Sequence, residues 1–116
     1  RALVLGSCDD PTLLYCIGTG CFVDCPSLPT YMSARKLSTR FNVLAIDPRH
    51  TGFTSVSATC TFGGEGKAKA RDYAEDIMHC ARAVGMPTKK FFAVGFSTGA
   101  HVAMQLATMY PDACQG

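Results

Sequence analysis

The stretch Phe91-Phe92-Ala93-Val94-Gly95-Phe96-Ser97-Thr98-Gly99-Ala100-His101-Val102 decides how the chain reads. Its first four residues form a short apolar run of strand type. From Thr98 onward, Val102, Ala103, Leu106, Ala107 and Tyr110 recur at helical spacing until Pro111 stops them. Gly95-Phe96-Ser97-Thr98-Gly99 is therefore a G-x-S-x-G held between a strand and a helix, and this context makes the pattern specific. A serine at such a bend sits on strained backbone with its hydroxyl pushed outward. Glycines are required on either side because a Cβ would strike the neighbouring strand or helix. The plain alternative is an ordinary turn in which Ser97 caps the helix.

Working back from this stretch, apolar runs and helical segments alternate, as in a sheet with crossover helices. Ala2 to Leu5 reads as a first strand. Leu13 to Ile17 reads as a second, buried on both faces, ended by Gly18-Thr19-Gly20. Pro26 and Pro29 delay the next helix to about Thr30, from where it runs to about Arg40. Asn42 to Ile46 is the third strand, and Asp47 to Thr61 reads as loop. A long helix spans about Lys67 to Val84, with Ala70, Tyr73, Ala74, Ile77, Ala81 and Val84 inward and Lys69, Arg71, Asp72, Glu75 and Asp76 outward. Gly85 caps it. Phe91 to Val94 is the fourth strand, and the last helix covers Thr98 to about Tyr110.

Composition narrows the class further. With 47% hydrophobic and 17% charged residues among 116, the chain has enough apolar surface to fold, which excludes disorder. A net charge of +2 without a basic run gives no footprint for nucleic acid, and no apolar stretch approaches the roughly 20 residues needed to span a bilayer. The seven cysteines are odd in number, and Cys16 and Cys80 fall in apolar or helical segments. They read as mostly reduced thiols, which favours a reducing, cytoplasmic setting. The spacing of Cys21 and Cys25 fits neither a redox motif nor a paired metal signature.

Three segments together resemble the N-terminal part of an α/β-hydrolase domain of the esterase, lipase and acyltransferase kind. Gly95-Phe96-Ser97-Thr98-Gly99 resembles the family's nucleophile elbow, and the following helix with Tyr110-Pro111 resembles the helix behind it. Asp47-Pro48-Arg49-His50-Thr51-Gly52-Phe53-Thr54 is similar to the D-x-R-G-x-G-x-S loop, with His50 where the family has Gly. Leu13 to Thr19 is similar to the strand and H-G-x turn, with Ile17 in the place of His. Ala100 stands where a second Gly is common.

The resemblance implies a mostly parallel α/β sheet of four strands in the order 1-3-2-4, the first antiparallel, with residues 1–116 forming the N-terminal part of a single domain. It implies Ser97 as nucleophile, the backbone N–H groups of Thr19 and Thr98 as the oxyanion hole, and Gly95 and Gly99 as the elbow glycines. It also implies an acyl-serine route to hydrolysis or acyl transfer on a small ester- or amide-like substrate, with no metal and no organic cofactor. The family's triad acid and histidine follow the serine in the chain, so the 116 residues alone are expected to be inactive. The three histidines present do not replace that base. His101 is one helical turn past Ser97, His79 lies at the polar boundary of the long helix, and His50 is in the loop after the third strand.

Two other readings stand beside this one. A relative that keeps the sheet and serves as a non-catalytic binding module is the first. The second is a dinucleotide-binding unit built on Gly18-Thr19-Gly20 and Asp47, though Val23 replaces its third glycine and Pro26 and Pro29 postpone the helix that would meet the phosphates.

Overall fold

The computed structural model describes residues 1–18, 23, 34–49 and 69–116. The four strands expected from the apolar runs are β1 (Ala2–Leu5), β2 (Thr12–Cys16), β3 (Asn42–Ile46) and β4 (Phe91–Gly95). They form one sheet in the order β1-β3-β2-β4. β2 pairs in parallel with both β3 and β4, and β1 runs antiparallel to β3. This is the order and direction the sequence resemblance implies.

Burial explains why the apolar runs differ in kind. Every residue of β2 and β3 is buried, because both are central strands covered on two faces. β1, at the sheet edge, alternates exposed and half-buried residues. On one face, Leu14, Cys16, Leu44 and Ile46 pack against the two long helices. On the other, Leu13, Tyr15, Val43 and Ala45 pack against Val23, Ala34 and Leu37. β2 begins and ends one residue earlier than the sequence pattern suggested, since the buried Thr12 pairs with Asn42 and Phe91 in the register of the sheet. Backbone pairing, which ignores side-chain polarity, sets this boundary.

Helix α1 (Ala70–Ala83) buries Ala74, Ile77, Met78 and Ala81. One assignment at its margin changes: Val84, read as inward, is exposed, because the helix has ended before it can reach the core, and Met78 completes the buried stripe. Its first turn is closed by Asp72, whose carboxylate accepts the Lys69 N–H at 2.6 Å. Its end is a Schellman turn: Gly85 takes φ +76°, the Gly85 N–H bonds the Arg82 carbonyl and the Met86 N–H bonds that of Ala81.

Helix α2 (Thr98–Met109) buries Gly99, Val102 and Leu106, while Ala107 faces solvent. Of the expected helix from Thr30 to Arg40, residues 34–37 are helical and 38–40 are turn; its start lies outside the described residues, as does the loop from His50 onward. Beyond α2, residues 113–116 run alongside β4, with the Phe91 N–H on the Ala113 carbonyl, the Gln115 N–H on the Phe91 carbonyl and the Ala93 N–H on the Gly116 carbonyl. The bridge between Phe91 and Cys114 is parallel.

Candidate active site

The topology singles out one place on this sheet. β2 and β4 are neighbours, yet the chain leaving β2 supplies Ala34 and Leu37 to one face, whereas the chain leaving β4 enters α2 on the other. Two adjacent parallel strands whose connections diverge in this way open a crevice at their carboxyl ends, the usual ligand position in open α/β sheets. Gly18 and Ser97 lie at its two sides.

Ser97 connects β4 to α2 in an unusual conformation. Its φ of 57° and ψ of −128° make it the one non-glycine residue with positive φ among the described residues. An L-residue there is strained, and such strain is held only where the surroundings over-determine it. A capping serine has extended backbone and accepts a helix N–H with its hydroxyl. Ser97 does neither: it occupies the N-cap position without a side-chain capping bond, and it is exposed. The turn is instead closed by backbone, with the Gly99 N–H on the Phe96 carbonyl and the Ala100 N–H on the Ser97 carbonyl, each at 2.9 Å.

The flanking glycines explain what holds this bend. A Cβ built on Gly95 would collide with the carbonyl of Gly99, and one on Gly99 would collide with the carbonyl of Cys16. Strand, turn and helix thus meet backbone to backbone, which no other residue allows. Gly18 belongs to the same contact: a Cβ there would lie 3.1 Å from the Phe96 carbonyl oxygen and 3.3 Å from the Ser97 Cβ. The sequence reads Gly18 as a strand breaker and, by resemblance, as the glycine of the H-G-x turn; its approach to Ser97 is a tertiary contact that local spacing does not encode.

The remaining site residues fall as follows. Thr98 is the first residue of α2 and is exposed. Thr19 lies outside the described residues, as does His50. His79 and His101 are both exposed on their helices. Asp47, at the carboxyl end of β3, is buried, and its Oδ1 accepts the Val23 N–H at 2.7 Å, fastening the chain after β2 to the end of β3. Two residues on, Arg49 grips Asp76 of α1 through two bonds of 2.7 Å, from Nε to Oδ2 and from Nη2 to Oδ1. Asp76, read as outward-facing, is thus part of a bidentate pair that ties the β3 loop to the helix. Cys16 and Cys80 are both free thiols. Burial, with a smaller contribution from Cys114, pushes the Cys16 thiol up to about 12.

Among the described residues no group of three or more His, Cys, Asp or Glu side chains could hold a metal ion, and no helix is long and apolar enough to cross a membrane.

No family model and no curated protein matches the chain. Solved structures do. A membrane phospholipase A described as a bacterial virulence factor is 27% identical with a TM-score of 0.77, the match covering 97% of this chain and 33% of that one. An α/β hydrolase from Nostoc sp. PCC 7120 is 24% identical with a TM-score of 0.78, covering 98% and 36%. A thermophilic esterase from Thermogutta terrifontis is 24% identical with a TM-score of 0.74, covering 98% and 37%. The chain has the α/β-hydrolase fold, and it spans about a third of the length of the solved structures it matches.

Proposed function

We propose that these residues are the N-terminal part of a single α/β-hydrolase domain, and that the complete protein is a serine hydrolase working through an acyl-Ser97 intermediate. The observation that carries this reading is the exposed Ser97 at φ 57° and ψ −128°, without a capping bond, at the carboxyl end of the strand beside β2. In this account Gly95-Phe96-Ser97-Thr98-Gly99 is a nucleophile elbow.

A serine hydroxyl is a weak nucleophile at neutral pH and needs a positioned base. By the order of residues in this fold, a histidine and its orienting carboxylate come later in the chain than residue 116, so these 116 residues alone are inactive. The histidine takes the Ser97 Oγ proton as Oγ bonds to the substrate carbonyl carbon. The carbonyl oxygen becomes an oxyanion that accepts from the N–H groups of Thr19 and Thr98; Thr98 begins α2, whose dipole favours negative charge there. Collapse breaks the bond to the leaving alcohol or amine, which receives the proton. Water, deprotonated by the same histidine, then attacks the acyl carbon and frees Ser97. An alcohol in the place of water gives acyl transfer. The proton acceptor is a side chain and the oxyanion donors are main chain, so the route needs no metal and no organic cofactor. The substrate class is small esters, amides or related acyl compounds.

Labelling of the complete protein with a fluorophosphonate tests this. Label on the wild type that disappears in Ser97→Ala supports the assignment, and equal label in both, or none in either, contradicts it.

A further inference from the structure

Phe96 is the most exposed large hydrophobic residue described, with 68% of its surface open, and it stands immediately before Ser97. Isolated surface aromatics are common and need no explanation. This one is placed differently. Its carbonyl closes the turn under Ser97 by accepting the Gly99 N–H, which pins the backbone from which the ring projects. Its ring edge lies near Gly18 at the end of β2, with Cδ1 3.9 Å from where a Cβ on Gly18 would lie, beside the Ser97 Cβ at 3.3 Å from the same point. One edge of the ring therefore lies beside Gly18 and Ser97, and most of its surface is open. The surroundings contributed by these two strands are uncharged: neither Leu13 to Gly18 nor Phe91 to Ala100 contains an acid or a base.

We infer that Phe96 forms an apolar wall of the substrate site and selects esters whose hydrocarbon part, beside the reacting carbonyl, is a long alkyl chain or an aryl group. The inference rests on the Ser97 reading and deepens it. A buried methylene is worth a several-fold change in binding, so removing the ring acts on long substrates and spares short ones.

The test uses the complete protein as wild type, Phe96→Ala and Phe96→Leu, with p-nitrophenyl acetate and octanoate, and in parallel acetate esters of methanol and octanol. The ratio of kcat/KM for the long over the short ester, in the acyl or the alcohol series, falls about ten-fold in Phe96→Ala and is partly restored in Phe96→Leu. Fluorophosphonate labelling of Ser97 in all three proteins is the accompanying control. Labelling with unchanged ratios in both series, or an equal loss on short and long esters, overturns the role of Phe96 while leaving Ser97 in place. Failure of the wild type to label overturns the Ser97 reading, and this inference with it.

Discussion

Gly99 in the first turn of α2 lies so close to Cys16 at the end of β2 that a Cβ on the glycine would overlap the Cys16 carbonyl. The helix is thereby seated against the backbone of the neighbouring strand, and the bend at Ser97 is fixed between two elements that cannot separate without losing this contact. Gly95 makes the same kind of approach to the Gly99 carbonyl. Alanine at either position must displace backbone and not merely a flexible side chain. We expect Gly95→Ala and Gly99→Ala each to destabilise the fold by about 1–3 kcal/mol or more, read as a fall in urea midpoint at constant m-value. A midpoint within error of wild type would contradict the described packing.

The strain at Ser97 gives a second expectation. Ser97→Ala keeps a Cβ and therefore keeps the cost of φ 57°, whereas Ser97→Gly removes it. Ser97→Gly is expected to be more stable than Ser97→Ala by about 1 kcal/mol, although glycine also gains freedom in the unfolded chain, which works in the opposite direction. Thermal unfolding of the two variants side by side measures the difference. A less stable glycine variant would mean that the backbone is relaxed there.

Much of this arrangement was legible in the sequence because it is local. Gly95 and Gly99 flank the serine within one pattern, and the pattern sits between an apolar run and a helical stripe that can each be read independently. The strand order was not local: β2 pairs with β3 and β4 only through contacts across the sheet, and it was the family resemblance that implied the order. Other features were hidden for the same reason. The grip of Arg49 on Asp76 joins residues 27 apart, and the bond from the Val23 N–H to Asp47 joins residues 24 apart. The apolar run of the second strand begins at Leu13, yet the backbone ladder also includes Thr12.

Thr12 now offers a third test. Its Oγ1 is buried and has no hydrogen-bond partner among the described residues. A hydroxyl withdrawn from water without compensation costs stability, and valine has nearly the same shape. Thr12→Val is expected to stabilise the protein by about 1 kcal/mol, measured as a higher urea midpoint. A destabilised valine variant would show that the hydroxyl is satisfied.

Cys16 sets a pH dependence. Burial, and to a smaller extent Cys114, raises its thiol from 9.0 to about 12. Between these values the unfolded chain releases a proton that the folded chain retains, so Cys16 contributes its full stability below about pH 9 and the contribution declines as pH rises toward 12. Urea midpoints of wild type and Cys16→Ala at about pH 8 and about pH 10.5 should show the larger alkaline loss in the wild type. Equal losses would contradict the burial of this thiol. Cys8, which is exposed, should meanwhile react with iodoacetamide in the native protein, while Cys16 should not.

The central claim is that Ser97 carries the acyl group. Rapid acid quench of the complete protein during turnover of a p-nitrophenyl ester, followed by peptide mass analysis, tests it most directly. The account predicts that the peptide containing Ser97 gains the mass of the acyl group and that the gain is absent in Ser97→Ala. Acylation at another residue, or turnover of the ester by Ser97→Ala at the wild-type rate, would contradict it.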